Sequence, residues 1–110
     1  MVQKECLVKI YLDDERNAPE GWQRTYSVEE TIVILKSGQV THLSLDHDLG
    51  QIDGHDVPSG YEVLKWIEQE VFLNKFVPPD IQIHSANSAA RPRMQAAIDS
   101  IVRIASKNML

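Results

Sequence analysis

Apolar positions along the chain follow two alternating periods. Cys6 to Leu12 (CLVKIYL), His42 to Asp46 (HLSLD) and Ile81 to His84 (IQIH) are short runs in which apolar residues crowd or alternate, the pattern of strands. Trp22 to Tyr26 reads as a further, partly exposed strand. Elsewhere the spacing lengthens to three and four residues. Val63, Leu64, Ile67 and Val71 form one helical stripe, and Met94, Ala97, Ile98, Ile101 and Ala105 form another. Start and stop signals frame these segments. Ser27-Val28-Glu29-Glu30 is a capping box that opens a helix running to about Ser37, with Gly38 as its left-handed stop. Ser59-Gly60-Tyr61-Glu62 is a second capping box, and Pro92 suits the first turn of the last helix.

Two polar connections interrupt the pattern. RNAPEG, residues 16–21, reads as a loop, and HDLGQIDGHDVPS, residues 47–59, reads as a long one of the length at which loops tend to be functional. Strands alternating with helices predict a three-layer α/β fold, a parallel sheet covered on both faces. With no repeat or linker in 110 residues, one domain over 1–110 is expected.

Composition removes several functions. A net charge of −5 argues against a broad nucleic-acid-binding face or a membrane-surface protein. Cys6 is the single cysteine, so an internal disulfide and a cysteine-rich zinc site are excluded; it reads as a small core residue. No apolar stretch reaches membrane length and the first residues lack a signal-peptide pattern, so a cytoplasmic protein is expected.

Chemistry concentrates at the strand ends: IYLDDE, LSLDHDLG and IQIHSAN. In a parallel sheet these C-terminal ends share one edge, the edge where open α/β sheets bind ligands. Asp13, Asp14 and Asp46, with Asp48 as a further candidate, would gather there, and carboxylates that close repel. A hard cation, Mg²⁺ or Mn²⁺, removes the penalty and accepts a phosphate oxygen as a further ligand. Against this stands the plainer reading, that each acid only caps a turn. Ser85, Asn87, Arg91 and Arg93 follow the last strand and, with Arg16, are phosphate-binding candidates: hydroxyl, amide and guanidinium groups around a helix start. His47 and His84 flank the edge as acid–base candidates, whereas His42 and His55 carry no assignment. An EF-hand does not fit, because Val57 stands where its glutamate belongs, and zinc lacks a tight ligand pair.

An acid pair after the first strand, an Asp ending the third and a hydroxyl ending the fourth resemble the response-regulator receiver domain. The resemblance implies two Mg²⁺-binding acids at Asp13 and Asp14, a phospho-accepting Asp46 and a switch hydroxyl at Ser85. GYEVLKWIE is similar to the receiver stretch after the acceptor. Two parts of the receiver pattern are missing: a helix between the first two strands, and the fifth strand with its lysine. LDDER, LDHDLG and HSAN look more like the cyclic-phosphate-processing receiver-like family, a divergent offshoot. That implies a truncated flavodoxin-like fold lacking the fifth strand, acting on cyclic phosphate ends of RNA in repair or conflict systems.

The expected function is therefore metal-dependent phosphoester chemistry, the opening of a 2′,3′-cyclic phosphate on an RNA terminus or a small phosphorylated molecule. Asp46, His47, His84 and Ser85 are the catalytic candidates, with Asp46 either a metal ligand or a nucleophile. Two alternatives stand beside it: a degenerate receiver that signals through phosphorylation of Asp46, and a non-enzymatic binder of metal and phosphate.

Overall fold

In a computed structural model of the chain, the described residues are 8–13, 16–46, 51–52, 55–56, 60–84 and 90–108, with the backbone alone at 51–52 and 55–56. Four parallel strands, β1 (Val8–Leu12), β2 (Gln23–Thr25), β3 (Val40–Leu45) and β6 (Asp80–Ile83), form a sheet in the order β2-β1-β3-β6. Three helices follow β2, the short strands β4 (Gln51–Ile52) and β5 (His55–Asp56), and β6 respectively: α1 (Val28–Leu35), α2 (Gly60–Asn74) and α3 (Arg91–Asn108). This is the parallel-sheet, truncated flavodoxin-like receiver architecture expected from the sequence.

The helix signals act as predicted where they are described. The Ser27 hydroxyl accepts from the Glu30 amide at 3.1 Å, and the Glu30 carboxylate reaches back to the Tyr26 amide at 2.7 Å. Gly38 has φ +75°, the left-handed stop after α1. Ser59, the expected cap of α2, lies outside the described residues.

Sheet register separates two faces. Ile10, Leu43 and Ile81 share one rung, and Leu12, Leu45 and Ile83 the next rung on that face. Ile10, Leu12, Leu43 and Leu45 are fully buried against Val63, Leu64, Ile67 and Val71 of α2 and Met94, Ile98 and Ile101 of α3. Each such Leu or Ile contributes about 2 kcal/mol by leaving water. Thr25 joins α1 to this face through a buried 2.7 Å hydrogen bond to Thr31.

The helices were expected on both faces, but the three described ones line one. Each packs on the next, α1 on α2 and α2 on α3, which helices separated by a sheet cannot do. Crossover handedness supplies the reason. The β2-α1-β3 and β3-α2-β6 connections advance in the same direction across the sheet, so right-handed crossovers place both helices on one side. The β1-to-β2 connection advances the other way, and its described residues, 16–22, carry no helix.

The opposite face holds polar and aromatic residues instead. Lys9, His42 and Asp80 share one rung, with Trp22 beside them ahead of β2; Arg24, Tyr11, Ser44 and Gln82 share the next. The expected long loop contains a short antiparallel pair, β4 (Gln51–Ile52) with β5 (His55–Asp56). Among the described residues, no helix is long and apolar enough to cross a membrane.

Candidate metal and phosphate site

Asp13, Asp46 and His84 are the residues immediately after the rung Leu12–Leu45–Ile83. The ladder continues through them: the Asp46 amide donates to the Leu12 carbonyl at 3.1 Å, and the His84 amide to the Leu45 carbonyl at 3.0 Å. Side chains alternate along a strand. These three therefore form the last rung of the helix-free face, and their placement is a consequence of register.

One ligand atom from each of the three lies within 4.8 Å of the others. Asp13 is 1% exposed and Asp46 9%. Two carboxylate charges at that spacing repel by roughly 3 kcal/mol at an effective dielectric near 20, and burial adds a desolvation cost. Described partners relieve part of this. Asp13 Oδ1 accepts from the Arg16 amide at 2.9 Å, Oδ2 lies 3.1 Å from His84 Nε2, and the Arg16 guanidinium is 4.0 Å away. Asp13 thus does cap a turn, the plainer reading, through one oxygen, while its other oxygen faces the rung.

His84 is held from both sides. Its Nδ1 lies 2.7 Å from the Ser44 hydroxyl, which also accepts from the Gln82 amide at 3.4 Å. Asp13 Oδ2 can only accept, so Nε2 carries the ring hydrogen, Nδ1 is the acceptor, and Ser44 donates to it. The chain of donors runs Gln82, Ser44, His84, Asp13. Desolvation lowers the His84 pKa below 6.5 and outweighs the raising effects of Asp13 and Asp46. A neutral ring with a fixed tautomer is the result.

Two buried carboxylates are a donor set that fits a divalent cation, and their oxygen ligands suit Mg²⁺ and Mn²⁺. With its ring hydrogen on Nε2, His84 orients Asp13 and would ligate only after losing that hydrogen. Arg16 also donates to the His84 carbonyl at 3.0 Å, and Arg24 to the Asp13 carbonyl at 2.9 Å. Both guanidinium groups are thereby held at the edge. An apolar groove lined by Phe76, Val77, Ile81, Ile98 and Val102 begins at the opposite end of β6 and is separate from this chemistry.

Of the residues proposed from sequence, Asp13, Asp46 and His84 come together with Arg16 beside them. Arg91 and Arg93 are exposed in the first turn of α3, which starts beyond the same sheet edge. Asp14, His47, Asp48, Ser85 and Asn87 lie outside the described residues. Sequence reasoning missed Ser44, Gln82 and Arg24. Their signal was alternation: each is the polar residue of its strand that shares a face with the acids.

A family model described as a cyclic-phosphate processing receiver domain matches residues 8–100. Neither a curated protein nor a solved structure gives a match.

Proposed function

The chain belongs to the cyclic-phosphate processing receiver family, and from that premise we propose that it opens cyclic phosphates by divalent-metal-dependent hydrolysis, with a 2′,3′-cyclic phosphate RNA end or nucleotide as substrate. The observation that carries the reading is the convergence of Asp13, Asp46 and His84 on one rung at the ligand-binding edge.

Asp13 and Asp46 would hold Mg²⁺ or Mn²⁺, which when bound polarises a phosphoryl oxygen and lowers the pKa of water. His84 orients Asp13. Both its nitrogens are engaged and its neutral form is favoured, so it serves here as a positioning residue and not as the proton donor. Arg16, fixed by the His84 carbonyl, offers its charge to the phosphate oxygens as negative charge grows on them. In the reaction, water adds to phosphorus, one ribose–oxygen bond to phosphorus breaks, and the freed ribose oxygen takes up a proton. His47 is proposed for that proton transfer, and Ser85, Asn87, Arg91 and Arg93 for further phosphate contacts.

A nucleoside 2′,3′-cyclic monophosphate followed by ³¹P NMR tests the proposal. With Mg²⁺ or Mn²⁺ the cyclic resonance should give way to a monoester resonance, and with EDTA it should persist. A cyclic resonance unchanged by stoichiometric protein with either metal would refute it.

A further inference from the structure

The helix-free face continues away from the acid rung as an aromatic surface. Tyr11 stacks on His84, with centroids 4.0 Å apart and planes 7° from parallel. Trp22 stands edge-on to Tyr11 at 6.4 Å and to His42 at 6.3 Å. Tyr11, Trp22 and His42 are all half-buried, so part of each ring meets solvent. The protein carries a net charge of −5, yet cations flank this stripe: Lys9 Nζ lies 5.9 Å from the Trp22 ring centre, and Arg24 is tethered to the Asp13 carbonyl.

A sheet face that shows rings and cations suits nucleobases, which stack on aromatic side chains while their phosphates meet positive charge. We infer that Tyr11, Trp22 and His42 form a stacking surface for the bases of a single-stranded RNA end whose terminal phosphate lies at the acid rung. Spacing agrees. Successive rungs on one face are about 7 Å apart along a strand, which is the scale of one ribose between a phosphate and its base. His84 ties the two regions together, since one side of its ring carries Tyr11 and its Nε2 faces Asp13. A short stripe of this kind is compatible with an acidic protein, because it engages a few nucleotides and needs no extended basic groove. The inference rests on the proposed function only for the position of the phosphate; base stacking on this face needs no turnover.

Trp22 is its own reporter. The chain has two tryptophans, and Trp66 sits on α2 against Phe76, away from this face. In a Trp66→Phe protein with Mg²⁺ present, a short single-stranded RNA with a 3′-phosphate and adenosine 3′-monophosphate, neither of them cyclic, should both quench the Trp22 fluorescence saturably. Inorganic phosphate should not. His42→Ala and Lys9→Ala, two rungs from the acids, should weaken the RNA on the order of ten-fold. Quenching without ring opening would leave the stacking surface standing and remove the hydrolysis reading. Ring opening without quenching, or RNA affinity unchanged in both variants, would overturn the stacking surface and leave the hydrolysis reading intact. A face occupied by a second protein copy would give no quenching and a concentration-dependent sedimentation, which also overturns it.

Discussion

Replacing Gly60 by alanine strikes the acid rung without altering any of its polar side chains. The Gly60 amide donates to the Asp46 carbonyl at 3.1 Å, so the first turn of α2 rests directly on the strand end that carries Asp46. An added Cβ would overlap the Asp46 carbonyl oxygen, 3.2 Å from its carbon and 3.3 Å from Leu45 Cβ. None of those atoms is a side-chain end that can rotate away. Either α2 withdraws or Asp46 moves, at an overpacking cost of about 1–3 kcal/mol. Better helix propensity returns up to about 1 kcal/mol. The net loss should lower Tm on the order of 5–10 °C in a chain of this size. Gly38→Ala is the matched control. Nothing lies within 4 Å of its added Cβ, and its cost, about 1 kcal/mol, comes from φ +75° alone. Thermal melts of both variants, with and without Mn²⁺, separate damage to the fold from damage to the rung. Gly38→Ala should keep the metal-induced rise in Tm, and Gly60→Ala should lose most of it. A Gly60→Ala protein that melts within about 2 °C of the parent and keeps its full metal response would mean that the Gly60–Asp46 contact does not hold the rung in place.

Three further predictions concern the rung itself. Millimolar Mg²⁺ or Mn²⁺ should raise the parent's Tm by binding the folded state, by about 2.7 kcal/mol at a hundred-fold excess over Kd, and Asp13→Asn should abolish the rise in differential scanning calorimetry. Ser44→Ala removes the donor to a half-buried ring nitrogen and should cost about 1–3 kcal/mol, with ¹⁵N NMR showing a shift at His84 Nδ1 while Asp13 keeps the hydrogen on Nε2; an Nδ1 signal unchanged from the parent would dismiss the donor chain. Desolvation lowers His84 below 6.5 in the folded state, so the unfolded chain takes up that proton first: the contribution is complete above about pH 6.5 and is lost as pH falls through the lower, folded value. Urea melts from pH 7.5 to 5 should therefore show falling stability that flattens in His84→Gln.

Much of this arrangement can be read from the chain without coordinates, because register does the placing. Once β1, β3 and β6 are parallel, Asp13, Asp46 and His84 must share an edge, and the runs IYLDDE, LSLDHDLG and IQIHSAN mark it. The helical stripes of α2 and α3 were equally plain, since Val63, Leu64, Ile67, Val71, Met94, Ile98 and Ile101 are buried, with Ala97 and Ala105 partly buried beside them. The layer arrangement was less accessible. It depends on the direction of each crossover, which periodicity does not encode, and on a β1-to-β2 connection whose described residues carry no helix. Ser44 and Gln82 were overlooked because a polar residue alternating with Leu or Ile looks like a solvent-facing position. Here that face leads to the site, and Ser44 is fully buried. The β4–β5 pair did have a signal, Asp53-Gly54 between Ile52 and His55, a common hairpin dipeptide. The density of polar residues around it favoured a plain loop.

Opening of a cyclic phosphate at the Asp13–Asp46–His84 rung with the help of a divalent cation can be followed on a short RNA ending in a 2′,3′-cyclic phosphate, incubated with the protein in H₂¹⁸O with Mn²⁺, with Mg²⁺ and with EDTA, the product read by mass spectrometry. The terminal phosphate should gain one labelled water with either metal, none with EDTA, and none in Asp13→Asn or Asp46→Asn. An RNA that keeps its cyclic end under every condition, or one opened equally well by both variants, would contradict it.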